Sequence, residues 1–134
     1  WISGCSLASK HNIGVTPESN REQAYDIPIK LLRVNCDYRR SGLKDCVKSA
    51  FKGFTDEEME ILAEIEHQRW MQEKISKGYK YGKPLNDEEK EEKKIHDCIL
   101  PWNKLSDETK GYDRDAIKAI PEILKIAGYE IYRL

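Results

Sequence analysis

The same helix-disrupting dipeptide stands twice at matching places in this chain, and that coincidence constrains the fold more than any other feature. Under a shift of 93 residues, Asn20-Arg21-Glu22 lies over Asp113-Arg114-Asp115, Ile27-Pro28 over Ile120-Pro121, Leu31 over Leu124 and Asn35 over Gly128. Each copy runs from apolar residues at helical spacing, through a residue suited to a left-handed helix end, into a short strand-like stretch. A proline inside a helix removes one backbone hydrogen bond and crowds the preceding turn. Tolerating it twice at one place implies a kink or a local rearrangement that belongs to the fold. Residues 20–38 therefore read as the tail of one structural unit, and residues 55–134 as a complete second unit.

The elements between follow from local signals. Residues 1–19 read as an irregular lead-in, and Ser19 with Glu22 forms a capping box for a helix over about 20–34. Asn35 ends it, Cys36-Asp37-Tyr38 are extended, Ser41-Gly42 turn, and 43–54 form a connector with room for a helical turn. Thr55-Asp56-Glu57-Glu58 is a strong helix start, with a Thr cap, acids in the first turn and Glu58 placed to close the box. The helix runs to Lys77, Gly78 stops it, and Met59, Leu62, Ala63, Glu66, His67 and Trp70 fall on one stripe. Tyr79 to Pro84 form a loop, Asp87 caps a charged helix to about Ile95, and Pro101-Trp102 opens another loop. Ser106-Asp107-Glu108 suggests one helical turn, and the last helix begins near Asp113, ending at Gly128 before a strand over 129–133.

Composition excludes several classes. Lys and Arg number 23 against 24 Asp and Glu, so the chain lacks the clustered excess of cations that general nucleic-acid binding needs. Charge is uneven: residues 1–54 carry nine basic and five acidic groups, residues 55–94 eight and twelve. Such fields decay over about 8 Å at physiological salt, so they describe solvated faces. Apolar runs such as Cys98-Ile99-Leu100 fall far short of the roughly 20 residues of a membrane span. Cys5, Cys36, Cys46 and Cys98 form no C-x-x-C pair and no zinc-ribbon spacing. No leader peptide is seen, so free thiols and a cytoplasmic location are expected. The chain opens on Trp1, which reads as an excised piece of a larger protein. No phosphate-binding glycine loop or nucleophile elbow occurs, and His96-x-Cys98 lacks a second ligand pair. We therefore expect no catalytic residues, no metal and no cofactor.

In unbroken order, Leu62-Ala63-Glu64-Ile65-Glu66-His67-Gln68-Arg69-Trp70, Gly78-Tyr79-Lys80-Tyr81-Gly82, Lys94-Ile95-His96, Leu100-Pro101-Trp102, Tyr112-Asp113-Arg114 and Ala127-Gly128-Tyr129 resemble the RyR domain, the repeat named after ryanodine receptors. The Glu66-His67-x-x-Trp70 form and Trp102 resemble the bacterial or phage branch. Receptor repeats usually carry an Asn where Ile65 stands, so no role of that Asn transfers. The resemblance implies a mostly α fold with short β strands, built from pseudo-repeated helical pairs. Residues 1–54 would be the C-terminal half of a preceding RyR-like repeat plus connector, and 55–134 an RyR domain. It implies a non-enzymatic, intracellular regulatory or ligand-sensing module, with an adenine nucleotide or related small molecule in a cleft at His67 and Trp70. Other domains of a larger parent protein, or a second copy as a homodimer, are the remaining partners; nucleic acid and direct membrane insertion are not. A protein–protein interaction scaffold without a small-molecule ligand is the alternative.

The candidate ligand residues are His67, Trp70, Lys74, Trp102 and Arg114. His67 and Trp70, three apart, share a helix face, and an indole beside an imidazole makes a stacking platform for a planar base. The competing reading has Trp70 in the core and His67 bonded to a backbone carbonyl. Lys74, one turn on, suits a phosphate, and Tyr79, Tyr81 and Trp102 could extend an aromatic wall. Arg114 and Arg21 would sit in first helical turns, where a cation is disfavoured, so each needs a partner, either a carboxylate such as Glu66 or a ligand phosphate. In the run 87–94, a Glu89–Lys93 pair is expected on a solvated face.

Overall fold

The structure, a computed structural model, describes residues 17–42 and 49–134. The lead-in over 1–16, Cys5, Cys46, residues 43–48 of the connector and the Ser19 side chain lie outside the described residues. The chain is mostly α with short strands, in the order α1 Pro17–Tyr25, α2 Ile27–Arg33, β1 Cys36–Arg40, β2 Ser49–Ala50, α3 Asp56–Ser76, β3 Lys80–Tyr81, α4 Asp87–Lys93, β4 Ile95–His96, a 3-10 turn Trp102–Lys104, α5 Asp107–Ile126 and β5 Tyr129–Arg133.

The first Ile-Pro splits its helix in two. Asp26 is the turn between α1 and α2, and Pro28 enters α2 in its first turn, where a missing N–H costs nothing. The backbone stays joined across the break, since Asp26 N donates to Glu22 O at 3.3 Å and Lys30 N to Asp26 O at 3.0 Å. The second Ile-Pro behaves differently, for Pro121 lies inside the continuous α5. After the helices the two stretches match closely. Asn35 (φ 56°) and Gly128 (φ 89°) are both left-handed, and each is followed by a five-residue strand. Those strands pair antiparallel, with Tyr38 opposite Ile131, its own counterpart under the 93-residue shift. Ser41 N donates to Gly128 O and Leu134 N to Asn35 O, both at 2.9 Å, two bonds that the same 93-residue shift exchanges. β2 joins the other edge of β5.

α3 starts as its local signals require. Thr55 Oγ accepts the Glu58 amide and the Glu58 carboxylate accepts the Thr55 amide. Two other starts differ from expectation. Asn86, not Asp87, caps α4, because its side chain reaches the Glu89 amide while Asp87 is already helical. The expected turn at Ser106 and the helix expected from Asp113 are one helix, α5, capped by Ser106 on the Thr109 amide. Gly111 sits inside it without breaking it, as one glycine in a long helix can.

α3 and α5 pack together over Leu62, Ala63, Ile117 and Ile120, joined by Ile27 and Leu31 of α2, Val34 just after it, Cys36 of β1 and Ile131 of β5. Residues on both sides of the 54/55 boundary thus share one core. A smaller cluster of Trp70, Cys98 and Leu105 lies further along α3. The short parallel β3–β4 ribbon flanks it; Gly82 lies so close to Ile95 that a Cβ would come within 2.8 Å of its side chain. Among the described residues, no helix is long and apolar enough to cross a membrane. Cys36 and Cys98 are free and buried.

Candidate functional site

The inner stripe of α3 carries Glu66, His67, Trp70 and Lys74 into the protein, all buried. Glu66 is a hub. Its carboxylate takes Lys30 Nζ at 2.9 Å, Arg69 through Nε at 2.9 Å and Nη2 at 3.0 Å, and Gln23 Nε2 at 3.0 Å. Lys30 also holds Asp26 at 2.6 Å, so the network ties α1 and α2 to α3. Burial pushes the Glu66 carboxyl up, but the bonds and charges of Arg69 and Lys30 outweigh it and hold it below the ordinary carboxylate value.

His67 is fully buried, with Nε2 at 2.7 Å from the Leu100 carbonyl and Nδ1 at 3.8 Å from Asp113 on α5. Burial keeps the imidazole below its usual pKa, the Leu100 bond only partly opposing it. Burial, then the nearby Glu66 charge, pushes Asp113 up to about 8. Trp70 is 1% exposed. The His67 ring stacks on it at 5.8 Å and the His96 ring meets it edge-on at 4.9 Å. The indole is therefore covered by protein, and a base could reach it only after these imidazoles moved. This is the arrangement of the packing alternative, with the His67 bond to a carbonyl included.

The remaining candidates separate. Lys74 is buried with Nζ over the Tyr79 ring at 5.1 Å, and burial, then Lys77, lowers its pKa. Arg114 lies two turns into α5 rather than in a first turn, since the helix begins at Asp107. It forms an ion pair with Glu60, Nη2 to Oε2 being 3.2 Å. Glu66, its expected partner, is taken by the α2 side. Trp102 is half-buried, 6.0 Å from the His67 ring, with Lys110 Nζ 5.3 Å above its own ring. The Glu89–Lys93 pair forms as expected, at 3.5 Å.

Of the candidates, Trp102 lines a surface hollow. Two hollows run along the outer side of α3 and share Glu64 and Gln68. One, of about 440 Å³, is walled by Met71, Ile99, Leu100 and Trp102. The other, of about 360 Å³, is bounded by Ile61, Ile65 and Arg33 of α2. His67 backs the first from inside through its bond to Leu100. Sequence reading missed Gln23, Lys30 and the burial of Asp113. Their signal was register: Gln23, Ile27 and Lys30 share one face, as do Asp113, Ala116, Ile117 and Ile120.

His96, Asp97 and Cys98 place one ligand-type atom each within 4.8 Å of one another. The Nδ1 lone pair that would face an ion already accepts the Cys98 amide at 3.0 Å. His96 Nε2 is buried without a partner, and burial, then the Lys90 charge, takes the imidazole down to about 4.

No curated protein matches the chain. The model of the RyR domain matches residues 45–133, which span β2 to β5 and include the His67–Trp70 stripe, the Leu100–Trp102 wall and Asp113, and on that match the chain belongs to the RyR domain family.

Proposed function

We propose that this RyR domain is a non-catalytic, regulatory ligand-sensing module whose small-molecule surface is the pair of hollows along α3, with Trp102 as its aromatic wall. The observation that carries the reading is the 440 Å³ hollow, within the range of small-molecule sites, with one aromatic, several aliphatic side chains and the Gln68 and Asn103 amides around it. A planar adenine-type base packs against Trp102, and a phosphate, if present, extends toward Arg33 in the adjoining hollow. Glu64 lies between the two and disfavours dense negative charge, so a nucleoside or monophosphate suits the surface better than a triphosphate. His67 and Trp70 support that wall from behind rather than touching the ligand. A binding role is favoured over catalysis because the buried groups with shifted acidity, Glu66, His67, Lys74, His96 and Asp113 among them, line neither hollow. The matching 35–40 and 128–133 stretches support a duplicated element, as in a tandem repeat.

Tryptophan fluorescence titrated with adenosine, AMP, ADP, ATP and NAD tests this. The expected result is saturable quenching by adenosine or AMP that Trp102→Ala abolishes and Arg33→Ala weakens only for AMP. No response at millimolar ligand would retire it.

One observation favours a second reading, a protein-binding scaffold. Tyr25, Ile29 and Leu32 are 67%, 57% and 54% exposed and form one stripe over α1 and α2. Sedimentation of wild type beside an Ile29→Asp/Leu32→Asp variant separates the two; self-association lost only in the variant would point to the scaffold.

A further inference from the structure

Asp113 is a fully buried carboxyl on the inner face of α5, and neither of its oxygens has a hydrogen-bond partner among the described residues. His67 Nδ1 faces it at 3.8 Å and is itself without a partner. The other ring nitrogen is committed. Nε2 lies 2.7 Å from a carbonyl oxygen, which can only accept, so Nε2 carries the ring hydrogen. Neutral His67 therefore turns a bare lone pair toward a bare carboxylate. Two acceptors facing each other in a dry interior are costly, and one proton between them turns the opposition into an attraction.

We propose that the Asp113–His67 pair holds one proton between its two groups at the α3–α5 interface, and that this proton keeps His67 Nε2–H on the Leu100 carbonyl and so anchors the Leu100–Trp102 wall. The proposal stands whether or not the hollow beside that wall takes a ligand. It also does not depend on which atom carries the proton. A carboxylic acid beside neutral imidazole and a carboxylate beside imidazolium contain the same number of hydrogens. The charged and titratable groups around the pair are Glu64, Glu66 and Arg69 from α3, Lys30 from α2 and the His96 imidazole from β4, which is neutral from pH 6.5 to 8. Glu66 opposes a second negative charge at Asp113. Arg69 and Lys30 favour one, but both are already engaged by Glu66.

The proton count sets the pH dependence. Asp113 titrates at about 8 in the folded chain against an ordinary 3.8, while His67 is held below its ordinary 6.5. Between pH 6.5 and 8 the unfolded pair holds neither proton and the folded pair holds one. Its contribution to stability is therefore present below that window and lost as pH rises through it. The loss is about tenfold in the folding equilibrium constant per pH unit, about thirtyfold over the whole window. Above it, two unprotonated acceptors oppose each other and the anchor of the wall weakens.

Urea unfolding of wild type and Asp113→Asn from pH 6 to 9 tests this, because the Asn amide donates permanently to Nδ1. The expected result is a wild-type constant that falls about thirtyfold relative to the variant between pH 6.5 and 8, with the Trp102 indole N–H resonance moving near pH 8 in wild type alone. Parallel profiles, or an identical indole titration in both proteins, would overturn it. Should the variant not fold, the wild-type imidazole nitrogen resonances serve instead. A ring that keeps Nε2–H and whose Nδ1 faces the acid proton or carries it up to pH 8 supports the one-proton pair, and free titration near 6.5 contradicts it.

Discussion

Replacing Lys30 with Met cuts the network that ties α1 and α2 to α3. The Lys30 side chain is 1% exposed, and its Nζ bridges Glu66 at 2.9 Å and Asp26 at 2.6 Å. Removing one partner of a buried pair costs about 3–5 kcal/mol, because the other charge is left in low dielectric. Glu66 keeps Arg69 and Gln23, and the Asp26 side chain is 18% exposed and regains water. Lys30→Met therefore belongs near the lower end, about 3 kcal/mol. Glu66→Leu takes a partner from both Lys30 and Arg69, leaving Lys30 on Asp26 and Arg69 on Glu73 at 3.5 Å, and costs more, about 4 kcal/mol. The double variant costs less than the two summed by about 1.5 kcal/mol or more, since each single change exposes the other's unpaired charge. Urea denaturation followed by far-UV circular dichroism at pH 7 measures all four corners of the cycle. Repeating it in 0.5 M salt should leave the coupling nearly unchanged, because buried charges are screened little. Single costs below about 1 kcal/mol that simply add would refute the reasoning. They would also mean that α1 and α2, which precede the matched residues, are not part of the cooperative core.

Three further outcomes follow from local geometry. Hydrogen bonds from Arg133 hold Glu58 at about 2, so its contribution is present above its ordinary 4.5 and lost as pH falls toward 2. Glu58→Gln should cost about 1–2 kcal/mol at pH 7 in chemical denaturation, with the two proteins converging near pH 2. A Cβ at Gly111 meets open space within a helix, so Gly111→Ala should stabilise by up to about 1 kcal/mol, whereas at Gly82 it strikes Ile95 at 2.8 Å and Gly82→Ala should destabilise by about 1–3 kcal/mol; thermal melts of the pair give opposite shifts. Trp70→Ala should cost about 3–5 kcal/mol as a fully buried ring, and half-buried Trp102→Ala clearly less, measured in the same urea series.

Elements set by a strong local signal were legible in the sequence, and elements set by distant residues or by a single weak local bond were not. The α3 start could be read because Thr55 and Glu58 satisfy each other within one turn. The β1 and β5 stretches could be placed because Asn35 and Gly128 mark where each helix must end. The sequence places the start of α5 six residues late, at Asp113, since Ser106-Asp107-Glu108 reads as a lone helical turn and its cap is one hydrogen bond. Pro28 and Pro121 share a sequence context, yet one begins a helix and the other lies inside one. Nothing within a few residues separates the two cases. At the candidate site, the stripe of α3 named His67 and Trp70 correctly as one face. What it omitted was their covering: His96 and Leu100 arrive from a segment whose path is set by tertiary packing. The same limit applies to Arg114, whose partner Glu60 and alternative Glu66 both lie on α3.

The claim that a ligand meets Trp102 while Trp70 stays enclosed is tested most directly by mapping amide and indole resonances during titration with AMP. The account predicts saturable shifts at Gln68, Met71, Leu100, Trp102 and Asn103, with the Trp70 indole unmoved. A spectrum unchanged at millimolar AMP, or shifts centred on the Trp70 indole, would contradict it.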